Sequence, residues 1–439
     1  MKKLLLLLLT PLFVFCGNRN NADDSLLAEV RFTSPEHIRS QVGAVIQLGV
    51  EVPRNFNGTF SWAIDNLPFS TEQNPVLQFE RYGTGRITVT VTSASGQSRT
   101  LAAGYFSAKN KEFQVGMYLP SWRPYRPQPW HQMTHLYLCF GTINRDGSVD
   151  IEMIRNTLLP AITDAHKHGV KVLLSIGGGD ADVPGEYGFT EAKRHEHTRN
   201  IMIRNLVAIV KELNLCGIDV DYEHWDYTPP GLDNPVRAAN LEILIRDLRA
   251  ALPEDRMLTA AISMFMLNNN FFREEVHRYL DKVNLMIYDY RGPWRPQDVG
   301  PHSHWEFFVD FIAAARRAGI PDHKIIPGVP FYGVRFFNSP SGAPRAEHIT
   351  YADIIRRYPN AAHVNRWQSD FGIIYYDGMP MIRQKTEFIV SERLGGIMAW
   401  EITQDTDIPE KSLLNVIDDV LSQESRAKSQ DSQCLNIRR

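Results

Sequence analysis

The stretch Gly217-Ile218-Asp219-Val220-Asp221-Tyr222-Glu223 constrains the fold more than any other part of the chain. Three carboxylates, Asp219, Asp221 and Glu223, alternate with Ile218, Val220 and Tyr222. Alternate residues of a strand point to one face, so a strand here carries an acidic row on one side and an apolar row on the other. Neighbours in the row lie roughly 6.6 Å apart, within reach of side-chain hydrogen bonds. An inward row of ionised acids is costly unless protons are shared and partners supplied, and it suits a place where proton transfer is needed. Glu223 falls where the strand gives way to a loop, and in a parallel barrel that end is the active face. Two other readings exist. On an exposed edge strand the acids would be solvated charge, but Ile218, Val220 and the apolar runs of neighbouring segments indicate a buried strand. Asp-x-Asp also ligates divalent cations, but these want six or more oxygens and no further acidic loop cluster stands nearby. The expectation is therefore no metal and no cofactor.

The surrounding sequence supplies a barrel for such a strand. From Lys111 short apolar segments alternate with amphipathic ones, the pattern of a parallel α/β fold. Strands are expected at Gln114–Leu119, His135–Phe140, Lys171–Ile176, Gly217–Asp221, Leu258–Ser263, Val283–Tyr288, Lys324–Val329 and Gly396–Trp400. Helical stripes run through Ile203, Leu206, Val207 and Val210, and through Leu241, Leu244, Ile245 and Leu248. Eight strands over residues 111–425 fit a (β/α)8 TIM barrel. The first connection, Pro120 to Gln132, is short and rich in Pro and Trp, so its helix is degenerate or missing. Residues 426–439 read as a polar tail.

Before the barrel, residues 26–108 alternate with period two. Ile46, Leu48, Val50 and Val52 share a face, as do Phe60, Trp62 and Ile64, and Ile87, Val89 and Val91. Turn signals at Asn57-Gly58, Gly83-Thr84-Gly85 and Ser95-Gly96 separate them. This predicts a small all-β, immunoglobulin-like sandwich, serving as a spacer or a carbohydrate-binding module. Residues 1–25 open with Met1-Lys2-Lys3 and an apolar run, Leu4 to Phe15, too short to span a bilayer. They read as an export signal and polar tether. Cys16 follows at once, in a pattern resembling a bacterial lipoprotein signal. The expectation is a lipid anchor at Cys16 and a cell-surface or outer-membrane location, with a secreted soluble product as the alternative. The net charge of −3 points to neither nucleic acid nor an anionic membrane surface as partner. Four scattered cysteines are too few for a disulfide framework or zinc site, and Cys139 and Cys216 are expected as small core residues.

The acidic stretch resembles the Asp-x-x-Asp-x-Asp-x-Glu signature of family 18 glycoside hydrolases, the chitinases and their relatives. Cys216 stands where that signature has its first Asp, which bears on local packing. Other strand ends extend the resemblance. Ser175-Ile176-Gly177-Gly178 is similar to the family's Ser-x-Gly-Gly, with glycines that let backbone approach a ligand and a serine that can bond the deep carboxylates. Met286-Ile287-Tyr288-Asp289, followed by Gly292-Pro293-Trp294, is similar to Met-x-Tyr-Asp and Gly-x-Trp. Trp400 matches a tryptophan that lies under the sugar at the cleavage site. Tyr118, Phe140, the Gly328 to Gly333 segment with Tyr332, and Tyr376-Asp377-Gly378 with Lys385 are lesser matches. The stretch from Val334 to Leu394 is short beside the α/β insertion many relatives carry, which implies a low wall and an open cleft.

The resemblance implies retaining hydrolysis of β-1,4-linked N-acetylglucosamine, as chitin or chito-oligosaccharide; a monomer is expected. Glu223 would be acid and base. Asp221 would hold the acetamido N–H, Asp219 would share a proton with Asp221, and Tyr288 would bond the acetamido oxygen. Trp400, Asp289, Met286, Tyr118, Phe140, Ser175, Gly177, Gly178 and Trp294 would bind substrate. The alternatives are an endo-β-N-acetylglucosaminidase acting on N-glycan cores and a glycan-binding protein that does not cut.

Overall fold

The computed structural model describes residues 25–421 except 34–36, 42–44, 65, 79–82, 109–112, 180–187, 224–233 and 273–274. Contacts divide the chain into two compact units, Met1–Glu112 and Phe113–Arg439. Residues 1–24 of the proposed signal and tether, and the whole proposed tail, with Cys16 and Cys434, lie outside the described residues.

The first unit is all-β. Its main sheet runs in the order His37–Gln41, Ser98–Ala108, Gly83–Ser93, Gly58–Ile64, Leu67–Ser70, with only the first pairing parallel. Two short antiparallel ribbons, Arg31–Phe32 with Val50–Glu51 and Val45–Gln47 with Val76–Gln78, complete it. The period-two residues Ile87, Val89 and Val91 are fully buried around Trp62. The Trp62 ring meets Phe32 edge-on at 5.4 Å and its N–H donates to the Glu72 carbonyl at 2.8 Å, so the one polar atom of a buried indole is satisfied. The run from Ile46 to Val52, expected as one face of a strand, is instead divided between the two ribbons, with Leu48, Gly49 and Val52 outside both.

The second unit is a closed barrel. Its strands are β1 (Gln114–Pro120), β2 (His135–Ile143), β3 (Lys171–Gly177), β4 (Gly217–Asp221), β5 (Met257–Ile262), β6 (Lys282–Leu285), β7 (Ile325–Pro330) and β8 (Gly396–Trp400). All neighbours are parallel, and β1 pairs with both β2 and β8, which closes the ring. The expected strands are therefore present, with β6 ending at Leu285 rather than Tyr288 because Met286–Tyr288 leave the ladder. Closure buries both faces of each strand, which explains why these segments read as apolar runs. Helices Glu196–Glu212 and Asn234–Ala251 turn their apolar stripes inward; Val207 is only half-buried, the rest of both stripes fully. Between β1 and β2 there is only a single 3-10 turn, Trp130–Gln132. Cys139 is buried within β2, whereas Cys216 stands one residue before β4 and is half-buried.

The stretch after β7, read as short for an insertion, does carry an inserted layer. Residues 332–376 form an antiparallel sheet in the order Pro344–Thr350, Tyr332–Asn338, Gly372–Tyr376, Arg366–Ser369, with helix Tyr351–Arg357 against it. Two hairpins and one short helix suffice for a wall, so the length of the stretch was a poor guide.

Candidate active site

The acidic row ends at the C-terminal mouth of the barrel, and its members meet three different environments. Asp219 is completely buried. Its Oδ2 accepts from the Tyr118 hydroxyl at 2.9 Å and the Ser175 hydroxyl at 2.8 Å. Its Oδ1 accepts from the Thr259 hydroxyl at 2.5 Å and the Asn284 amide at 3.3 Å. Register brings these donors in: Ser175 on β3 and Thr259 on β5 are the lateral partners of Asp219 on β4. Burial raises the Asp219 carboxyl above its ordinary range, while the four donors pull it back down.

Asp221, two residues on, is 3% exposed, and its Oδ1 finds no donor among the described residues. Burial, then the negative charges of Glu223 and Asp219, push its carboxyl well above the usual range. Glu223 is exposed and lines the cleft. Strand β4 and the two residues after it thus supply a carboxyl saturated with donors at depth, a carboxyl biased towards its protonated form above it, and an accessible carboxyl at the rim.

The cleft over this row has a volume of about 660 Å³. Phe140, Gly177, Asp221, Glu223, Met286, Tyr288, Asp289 and Trp400 line it, as the sequence suggested. Its floor is aromatic: Trp400 stacks on Phe140 with ring centres 5.8 Å apart, and Phe140 stacks on Trp122 at 6.0 Å. Tyr118 lies 5.6 Å from Trp400 and is buried with Ser175 beneath the cleft, so both serve the carboxylates rather than a ligand. Burial, together with the charges of Asp221 and Glu223, holds the Tyr288 hydroxyl well above its ordinary pKa, so it remains a donor.

The two glycines were read as letting a ligand approach closely; Gly177 lines the cleft, and both also have a role within the chain. A side chain at Gly177 (φ +106°) would meet the Asp221 carbonyl at 1.9 Å, and one at Gly178 (φ +85°) would strike the Phe140 ring at 2.5 Å. Both glycines make room for parts of this chain, and the Gly178 N–H donates to the Asp221 carbonyl at 2.8 Å. They tie β3 to the end of the acidic strand.

Asp289 adopts φ +60°, the left-handed region, which Asp tolerates better than most side chains. It accepts from the Tyr332 hydroxyl at 2.6 Å, with His302 and His348 at 3.7 and 3.8 Å. Burial tends to raise its carboxyl, but His302, the Tyr332 hydroxyl and His348 outweigh this and hold it below the ordinary range. At those distances the imidazoles act as neighbouring charges or dipoles rather than as hydrogen-bond donors. Tyr332 and His348 belong to the inserted wall, and His348 also lies 6.3 Å from Trp294. Trp294 is 54% exposed, folded over Gly292, and stands outside the cleft lining described above. Behind this corner, buried Lys385 donates to Asp377 at 2.6 Å and to both oxygens of Ser303, whose hydroxyl holds the Ile287 carbonyl.

Sequence reasoning missed Trp122, Thr259, Asn284, His302 and His348. Trp122 was visible as an aromatic two residues past β1. The others carry no local signal, since only barrel closure and the insertion bring them here. Among the described residues, no group of three or more His, Cys, Asp or Glu side chains is arranged to hold a metal ion.

Fold and site together define a carbohydrate-processing (β/α)8 barrel. A family profile, "Glycosyl hydrolases family 18", matches residues 114–405. The chain belongs to that family. A chitinase structure from Bacteroides thetaiotaomicron is 27% identical, superposes with a TM-score of 0.59, and covers 70% of this chain and 96% of its own. The family 18 chitinase ChiB from the chitin utilization locus of Flavobacterium johnsoniae is 26% identical, with a TM-score of 0.57, 71% of this chain and 94% of its own. "Probable chitinase 10" of Drosophila melanogaster is 27% identical over 67% of this chain, which spans only 15% of that protein's length. For "Probable chitinase 2" of the same organism the identity is 25%, over 55% of this chain and 57% of the relative.

Proposed function

We propose that this protein hydrolyses β-1,4-linked N-acetylglucosamine, in chitin or its oligosaccharides, with retention of configuration and with the substrate's own acetamido group as nucleophile. The observation that carries this reading is Asp221: a buried carboxyl with an unpaired oxygen, between an acid at the rim and a hydroxyl held as a donor. An acetamido group offers the complement, an N–H for Asp221 and a carbonyl oxygen for Tyr288. Held there, the carbonyl oxygen is aimed at C1 of its own sugar, and this proximity replaces a second carboxylate as nucleophile. Glu223 protonates the leaving oxygen. Asp221 gives up its proton to Asp219 and, now negative, faces the cationic bicyclic ring, and Glu223 returns as base to activate water. Asp219, whose carboxyl burial also raises, takes that proton. Trp400 offers an aromatic face to the sugar at the scission point. The chitinase names of the Bacteroides and Flavobacterium neighbours support the choice of substrate.

The test is the first product from chito-oligosaccharides, followed by proton NMR before mutarotation. The β anomer is expected, with cellulose oligomers left uncut. An α-anomer product, or cellulose cut as well as chitin, would overturn the acetamido route and return the role of base to a second carboxylate such as Asp289. A high-mannose glycopeptide run beside the oligosaccharides separates this reading from cleavage of N-glycan cores. Exposure of the protein at the cell surface through a lipid on Cys16 is part of the same proposal.

A further inference from the structure

The cleft is more acidic than a neutral polymer requires. Among its described lining residues five carry carboxyl groups (Asp150, Glu152, Asp221, Glu223 and Asp289) and none is basic. Asp221 and Glu223 belong to the chemistry above, and Asp289 is held by the Tyr332 hydroxyl. Asp150 and Glu152 have neither role, and their placement is set by the fold. Strand β2 continues past the barrel rim, and Thr142 on it pairs with Asp150 on the short returning strand Val149–Asp150. Phe140 and Thr142 alternate with buried Gly141 and Ile143, so both face the cleft, which they line together with Asp150 and Glu152. One step across the pair and two residues along the strand put Asp150 roughly 8 Å from Phe140. A sugar lying against the Trp122–Phe140 aromatics therefore has these two acids beside its edge.

Both acids are exposed and in large part uncommitted. One Asp150 oxygen accepts the Glu152 N–H at 2.8 Å. Glu152 has no side-chain hydrogen bond or ion pair among the described residues. The cation one turn further on, Arg155, is engaged with Glu212 through both guanidinium nitrogens. Arg145 reaches instead towards Glu191. Asp150 and Glu152 line the same cleft as Asp221 with its unpaired oxygen, so a sugar chain seated at Asp221 has both acids along its path.

We propose that this arm of the cleft, lined by Trp122, Phe140, Thr142, Asp150 and Glu152, takes glucosamine, and that the preferred substrate is partially deacetylated chitin. The proposal rests on the function proposed above and deepens it. The sugar at the scission point must keep its acetamido group, because that group does the chemistry. A sugar further along the arm can carry a free amine, protonated, which Asp150 and Glu152 hold while its ring rests on the aromatics. A narrow cleft lined by one sign of charge concentrates a cationic ligand, and the effect weakens with salt.

The experiment compares chitin hexasaccharides that are fully acetylated with ones carrying a single glucosamine at each position in turn. For the isomer that places its amine in the arm, KM should fall about three- to tenfold, the gain that one or two exposed ion pairs supply. Product masses identify that isomer. The preference should vanish in about 1 M salt, where the screening length is near 3 Å, and in the Asp150→Asn, Glu152→Gln double variant. Asn keeps the cap on the Glu152 N–H, and Glu152→Gln alone serves as the second variant. The readout is the ratio between the two substrates, which a general loss of fold leaves unchanged. Equal KM for all isomers, or a preference that survives in the double variant, overturns the proposal. Affinities of the same sugars for the Glu223→Gln variant, by calorimetry, read the arm without turnover. An enzyme that fails to cut any of them, but whose variant still binds the deacetylated isomer more tightly, counts against the hydrolytic reading and not against this one.

Discussion

Replacing Asp221 with Asn should make the protein more stable and less active, and the stability gain should depend on pH. The carboxyl is 3% exposed, has one oxygen without a donor, and sits beside two further acids. Burial and those charges raise its folded pKa, so the folded state binds this proton more tightly than the unfolded chain does. The stability it contributes is therefore fully present below the unfolded value of about 3.9, and is lost as pH rises through the folded value. Asn is nearly isosteric and neutral throughout, so it removes the loss without opening a cavity. Leaving a buried polar atom unsatisfied costs about 1–3 kcal/mol. In a domain of about 250 residues or more, each kcal/mol moves Tm by about 2 °C. Asp221→Asn should then raise Tm by about 2–6 °C near pH 8, with the difference shrinking steadily towards pH 4.5. Calorimetry at one fixed scan rate measures this, while turnover on chito-oligosaccharides should fall in the same variant. If the variant were no more stable than the wild type at pH 8, or its gain were the same at every pH, the reading of Asp221 as a strained, proton-biased carboxyl would be wrong.

Glu223→Gln should lower turnover at least about 10²-fold, the low end for general acid–base catalysis, with oligosaccharide affinity largely kept; a steady-state assay and calorimetry decide it. Lys385→Met leaves Asp377 buried and unpaired and releases Ser303, so unfolding free energy should drop by about 3–5 kcal/mol in denaturant titration, as for a broken buried pair. A loss below about 1 kcal/mol, the range of exposed pairs, would mean the Lys385–Asp377 contact contributes little. Cys16→Ala should move the protein from the membrane fraction to the soluble one, and mass spectrometry of the mature terminus should find no lipid.

The sequence determined the elements and their kind. Strand periods, helical stripes and the switch in period near residue 111 are local properties, and burial on both faces leaves its mark as an apolar run. The acidic row was legible for the same reason: alternation along one strand needs no partner to be seen. Family likeness then named Tyr288, Asp289 and Trp400, and the structure brings these to the cleft. What each acid experiences was decided only by tertiary structure. Asp219 and Asp221 are chemically identical and two residues apart. Closure of the barrel brings Tyr118, Ser175, Thr259 and Asn284 from four other strands onto Asp219 and leaves an Asp221 oxygen unpaired. The wall that sets Tyr332 and His348 against Asp289 was misjudged from its length, because pairing between hairpins is a non-local choice that a residue count does not record. Gly177 and Gly178 were assigned to a ligand, and what sequence did not show is that they also make room for the Asp221 carbonyl and the Phe140 ring. A carboxyl's protonation follows from its donors, its neighbouring charges and its distance from water, and in a closed barrel all three come from residues remote in the chain.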